Sequence, residues 1–224
     1  MTGPLRVAGV DGFRGRWVIA VVDGRRVAWR LADTAAEVLD ATADCAAVGV
    51  DVPMGLDDRA ARACDRLARR IAGSSVFPAP LRPYLHAATH TEAVRIARDA
   101  GLPAPSIQVW NITPGIRDWD AVLSPGLQRR VAETHPEVSF RHLRPGPYAR
   151  KVTARGLAER LTALRPFVDG VAALRTVPDG PRPDDALDAL ACAWSARRFA
   201  LGGAVTLPPD QPSDPRGLRM RIVA

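Results

Sequence analysis

The chain has 224 residues, 47% hydrophobic and 25% charged, a composition that excludes a disordered tail or a fibre and leaves room for a real core. Its formal net charge of +7 favours anionic partners such as nucleic acid, although a basic set of 31 with a single lysine, Lys151, also carries the arginine bias of a GC-rich genome. No apolar run approaches the roughly 20 residues of a membrane span and no signal pattern opens the chain, so the expectation is a cytoplasmic protein with no membrane partner.

The opening residues predict a three-stranded meander. Leu5 to Asp11, Trp17 to Val22 and Val27 to Trp29 are strand-like runs, separated by Gly12-Phe13-Arg14-Gly15 and by Asp23-Gly24, a strong hairpin signal. Asp33-Thr34 then caps a helix to about Thr42, and Ala46 to Val52 reads as a buried strand reached by a crossover, hence parallel to an earlier one. Asp57 or Asp58 is expected to cap a basic helix that stops at Gly73. Thr89-His90-Thr91-Glu92 forms a capping box for a helix ending at Gly101. The proline-rich segment Ser74–Leu85 between them reads as an ordered loop or lid over the site. Ser106–Leu123 reads as partly helical with a break at Pro114-Gly115, and Val131–Phe140 as strand-like around His135-Pro136-Glu137. Thr153–Pro166 is an amphipathic helix, and a last strong helix runs from Asp184 or Asp185 to Gly202. Leu218–Val223 alternates like an edge strand. Cys45, Cys64 and Cys192 show no metal-ligand spacing and read as buried free thiols.

Carboxylates carry the functional signal. Asp11 and Asp51 each end a mostly apolar strand, and the carboxyl ends of parallel strands are where α/β sheets form sites. On neighbouring strands about 4.8 Å apart, two such acids would repel unless a cation lay between them. In the last helix, Asp185 and Asp188 project from one face; capping explains Asp185, whereas Asp188 enters an apolar stretch and needs a partner. Glu137, one of few glutamates, is the remaining candidate.

Gly9-Val10-Asp11-Gly12, Gly49-Val50-Asp51-Val52-Pro53, Ser75-Val76-Phe77-Pro78-Ala79-Pro80, Gln108-Val109-Trp110-Asn111-Ile112, His135-Pro136-Glu137-Val138-Ser139-Phe140 and Asp184-Asp185-Ala186-Leu187-Asp188-Ala189 appear in this order. The set resembles domain-of-unknown-function family 429, the predicted RNase H-like nucleases, over about residues 7–198. Asp185 to Ala191 is also similar to the terminal acidic helix of Holliday-junction resolvases. The resemblance implies an α/β RNase H-like fold: a mixed five-stranded sheet, its first three strands an antiparallel meander, flanked by helices. It implies one domain, residues 1–224, with a mainly helical insertion at about 55–128. In that family a lysine tends to stand where this chain has Gly115, which would pass a phosphate contact to Arg117.

The expected activity is metal-dependent phosphodiester hydrolysis of nucleic acid. Asp11, Asp51, Glu137 and Asp188, with Asp185 as the variable member, would hold one or two Mg²⁺ or Mn²⁺ ions, hard cations that take carboxylate oxygens. Arg14, Arg117 and Lys151 would neutralise phosphates, and Trp110 would stack on a base. Two alternatives stay open: an RNase H-like nucleotide-binding protein of the ATPase or kinase kind, and a catalytically silent nucleic-acid-binding module. A P-loop is excluded, because Gly-x-x-x-x-Gly-Lys-Ser/Thr does not occur.

Overall fold

The computed structural model describes residues 5–224; Met1 to Pro4, part of the N-terminal reading, lie outside the described residues. β1 (Arg6–Phe13), β2 (Arg16–Asp23) and β3 (Arg26–Ala32) form the expected antiparallel meander. At the first hairpin Arg14 and Gly15 both take positive φ, 48° and 76°, a turn whose twist matches the strands and which holds Arg14 at its tip. Thr34 caps α1 (Ala35–Ala41) by accepting the Glu37 N–H at 3.2 Å. Thr34→Ala is expected to cost about 1 kcal/mol in urea unfolding; an unchanged midpoint would mean that the buried Ala35 and Val38 hold this helix without the cap.

The chain crosses to β4 (Ala47–Val50), parallel to β1 with Gly9 opposite Gly49 and Val10 opposite Val50. Three helices follow, α2 (Ala63–Ala72), α3 (His90–Asp99) and α4 (Ile107–Val122), before β5 (Val131–Glu133) adds parallel to β4. The sheet order is β3-β2-β1-β4-β5. α5 (Pro136–Leu143), α6 (Ala154–Leu164), α7 (Gly170–Leu174) and α8 (Pro183–Ala200) come next. A small antiparallel pair, β6 (Thr206–Leu207) and β7 (Ile222–Val223), closes the described chain. Among the described residues no helix is long and apolar enough to cross a membrane.

Alternation along the strands sorts the core into two layers. Ala8, Val10, Val48, Val50 and Val131 pack with Val38, Ile116 and Trp119 on one face. Val7, Phe13 and Ala47 pack with Phe140, Leu164, Leu187 and Leu190 on the other. Gly9 and Gly49 belong to this second face, and α8 lies directly on them. A Cβ at Gly9 would run into the Ala189 carbonyl and the Ala193 nitrogen, and one at Gly49 into the Cys192 carbonyl. Two glycines in register thus let the acidic helix touch the sheet backbone.

Four expected boundaries move. α2 begins at Ala63 and not near Asp57, because Asp57 Oδ1 accepts the Arg59 and Ala60 N–H groups in a local turn that helix would break. Pro114 does not interrupt α4: it lies on the exposed side, while Thr113, Ile116 and Trp119 on the buried side hold the helix straight through. The strand expected over Val131–Phe140 ends at Glu133, since Pro136 at the first helical position opens α5. Leu218–Val223 is strand only at Ile222–Val223.

Candidate functional site

The parallel register of β1 and β4 sets the first two acids side by side. The Asp51 N–H donates to the Val10 carbonyl at 3.0 Å, which carries the pairing one step past the end of β4; Asp11, expected to end its strand, lies inside β1, which runs on to Phe13 because its pairing with β2 continues to the hairpin. By alternation Asp11 and Asp51 then face α8, two residues beyond Gly9 and Gly49. Asp11 is buried and Asp51 half-buried, and each lies within hydrogen-bonding reach of the other. Burial, then the charges of Asp188 and Asp51, hold the Asp11 carboxyl well above its ordinary range. Burial also raises Asp51, which His135 and Lys151 pull back down.

α8 delivers Asp188 to this pair, because Ala189, the next residue, sits on Gly9. Asp188 is 2% exposed, and burial pushes its carboxyl up to about 7 against the pull of Lys151. Lys151 Nζ donates to Asp188 Oδ2 at 2.5 Å, whereas the buried Oδ1 has no hydrogen-bond partner among the described residues. The partner that Asp188 needs is therefore half supplied by the single lysine. Glu137 stands in the first turn of α5, where Arg160 donates to its Oε1 at 2.6 Å, and its charge is felt at both Asp51 and Asp188. Asp185 is engaged locally: its carboxylate accepts the Arg182 N–H at 2.8 Å and the Arg182 guanidinium at 3.3 Å, which caps α8.

A cavity of about 610 Å³ opens at the carboxyl edge of the sheet, with Asp11, Asp51 and His135 in its wall. Arg14 lines it from the hairpin tip, exposed and without an ion-pair or hydrogen-bond partner among the described residues. The expected loop does wall it, through Ser75, Val76 and Phe77. Asn111, Gly115 and Asp118 present one face of α4 to it. Trp110 falls off that face and packs near His90 against Tyr84, Ala93 and Ala97. Arg117 also points away, toward the Ala87 carbonyl at 3.4 Å. Neither residue lines the cavity, and neither do Lys151 and Asp188.

Sequence reasoning missed a second buried group on the opposite face of the sheet. Arg62, Asp65 and Glu133 are 3%, 4% and 4% exposed and also line the cavity. The Arg62 guanidinium donates to Asp65 Oδ1 at 2.5 Å, to Glu133 Oε1 and Oε2 at 2.7 and 2.8 Å, and to the Met54 and Gly55 carbonyls. Glu133 also accepts the Met54 N–H, and Asp65 the Ala79 N–H. Cys64, Asp65 and Glu133 have ligand atoms within 4.8 Å of one another, the one such trio among the described residues, so this group has the spacing to hold a metal ion. Its chemistry argues for a different occupant. The fixed cation of Arg62 already satisfies both carboxylates, and burial keeps the Cys64 thiol protonated, a poor ligand form. All three cysteines are free and buried, as expected.

A protein-family model described as protein of unknown function (DUF429) matches residues 9–213. The chain belongs to this family. No curated protein and no solved structure matches the chain. The DUF429 match spans β1 to the segment after α8, so Asp11, Asp51, Glu137, Asp185 and Asp188 all lie inside it, as does the Arg62 group. Within this DUF429 chain, Gly115 abuts Trp17: a Cβ there would stand 3.2 Å from the ring. The position thus faces the cavity, while Arg117, two residues on, does not replace it. Signals for the missed residues were present but local. Asn111, Gly115 and Asp118 share a helical period, whereas nothing near Glu133 announces Arg62.

Proposed function

We propose that the protein is a metal-dependent phosphodiester hydrolase acting on nucleic acid, built as one RNase H-like domain over 1–224 with the helices of 55–128 inserted. The observation that carries the reading is the convergence of Asp11, Asp51 and Asp188, with Asp188 Oδ1 buried and unpartnered. Beyond burial, the charges of Asp188 and Asp51 hold up the Asp11 carboxyl, and that of Asp51 holds up Asp188; buried acids so placed beside an open cavity are costly to the fold unless a cation joins them. Asp11, Asp51 and Asp188 would hold Mg²⁺ or Mn²⁺, with Glu137 beside them; when bound, such ions activate water and stabilise a leaving oxygen. Lys151 orients Asp188. His135, whose Nδ1 is buried without a partner, stands where its charge favours ionised Asp51. Arg14 offers a free guanidinium to a phosphate. A cysteine nucleophile is disfavoured, because burial pushes all three thiols above their usual value.

The test compares wild type with Asp11→Asn on single-stranded, duplex and branched substrates with Mn²⁺ or EDTA. Cleavage is expected to require the metal and to vanish in the variant. The same variant is expected to be at least as stable as wild type without metal, since it removes a buried charge that Asp51 and Asp188 oppose. A less stable variant would identify Asp11 as structural. Binding of nucleic acid that ignores EDTA, with no cleavage, would favour a silent binding module.

A further inference from the structure

We infer that the cavity beside the acids receives an unpaired nucleobase, so that the substrate is nucleic acid with an unstacked nucleotide next to the bond that is cut. This deepens the hydrolase reading and rests on it. The cavity has two chemistries. Its sheet edge carries Asp11 and Asp51, while Phe77 and Ile112, 49% and 40% exposed, line it elsewhere. Single exposed apolar side chains are ordinary, but two facing one cavity form a surface for an apolar ligand. Sugar and phosphate offer no flat apolar face; a base does, on either side of its ring.

The polar groups agree with that occupant. Asn111 precedes Ile112 on α4, is exposed, and has an amide free of hydrogen bonds among the described residues, so it offers a donor and an acceptor to a base edge. Arg14, unpaired on another wall, matches the phosphate that must accompany the base. Gly115 keeps the space beside Trp17 clear. At about 610 Å³ the volume lies in the range of small-ligand sites.

The walls are also held in place. Asp118 on α4 accepts the Trp17 Nε1–H at 2.9 Å and the Ala35 N–H at 2.7 Å. The segment bearing Phe77 is tied at both sides, with the Val76 carbonyl accepting from Arg69 at 2.9 Å and the Ala79 N–H donating to Asp65 at 2.8 Å. A base entering the cavity that Phe77 and Ile112 line would meet surfaces that are already held in place.

The experiment is equilibrium binding by fluorescence anisotropy, with Ca²⁺ in place of Mg²⁺ to slow turnover. The probes are a short labelled single strand and an abasic strand of the same length. The natural strand is expected to bind about tenfold tighter, and Phe77→Ala and Ile112→Ser each to erase most of that preference. Both side chains are exposed, so the variants are expected to keep the wild-type melting temperature. Competition by a free nucleoside monophosphate as strong as by the strand would keep the base pocket and overturn the polymer substrate. Equal affinity for natural and abasic strands would overturn the inference while leaving metal-dependent cleavage untouched. No binding of either strand by a protein that still binds Mn²⁺ would overturn the hydrolase reading with it.

Discussion

Replacing Arg62 with methionine is expected to remove about 3–5 kcal/mol of stability near pH 8, the scale seen when one partner of a buried ion pair is lost. The loss follows from what stays behind. Glu133 and Asp65 are 4% exposed each, and methionine fills the space of the guanidinium without neutralising either. In the wild type, burial already pushes the Glu133 carboxyl up to about 7, even with Arg62 and the Met54 N–H favouring its charged form. Without Arg62 the Glu133 carboxyl rises further above its unfolded value, so the folded variant binds more protons than the unfolded one and gains stability as pH falls. The defect is therefore expected to shrink toward about pH 5, where protonation of Glu133 removes one of the two buried charges. Urea unfolding at both pH values checks this. A loss below about 1 kcal/mol at the higher pH would mean that water reaches the acids, in conflict with their burial. A functional consequence follows from the same bonds. Arg62 grips the carbonyls of Met54 and Gly55, and Asp65 grips Ala79, so the variant would loosen two walls of the cavity before it unfolded.

Asp11 and Asp51 were legible because each ends a run whose apolar residues announce a buried strand, and because a single crossover makes such strands parallel neighbours. Alternation then determines the face. Asp188 was legible as an acid in an apolar helix, a position that needs a partner, although nothing local named Lys151, 37 residues away, as half of it. Glu137 was singled out in a segment read as strand, whereas Pro136 starts a helix there; from its first turn Glu137 pairs with Arg160, and only its charge acts on Asp51 and Asp188. Arg62 and Glu133 were invisible because their meaning lies in a contact across 71 residues, and because a strand of three residues carries too little pattern to show its inward side. Trp110 shows the limit of motif reading. It sits beside Asn111 in the chain, yet one helical step turns it from the cavity into a satellite core.

In calorimetric titration, Asp188→Asn is expected to lose Mn²⁺ binding to below detection, while Lys151→Met is expected to bind Mn²⁺ more tightly than wild type. The two variants act on one bond from opposite sides. Lys151 Nζ lies 2.5 Å from Asp188 Oδ2 and competes as a cation for the oxygen that a metal would use. A unit charge at about 6 Å opposes another by about 3 kcal/mol at an effective dielectric near 20, so its removal is worth about tenfold or more in affinity. Protons compete as well. The Asp188 carboxyl titrates near 7, held up by burial and by Asp51 and Glu137, and Asp11 is held above its usual range by the same surroundings. Bound protons must leave before a cation enters, so wild-type affinity is expected to rise from about pH 6 to pH 8, with proton release visible as a heat that depends on the buffer. The metal-free protein follows the opposite sign. Its folded state binds more protons than its unfolded state between the unfolded carboxylate value and 7, so its stability falls as pH rises through that window, and saturating Mn²⁺ reverses the slope. Affinity that stayed flat with pH would show that the acids are ionised before metal arrives. Unchanged binding in Asp188→Asn would remove α8 from the site altogether, and would turn attention to the trio of Cys64, Asp65 and Glu133 on the other face of the sheet.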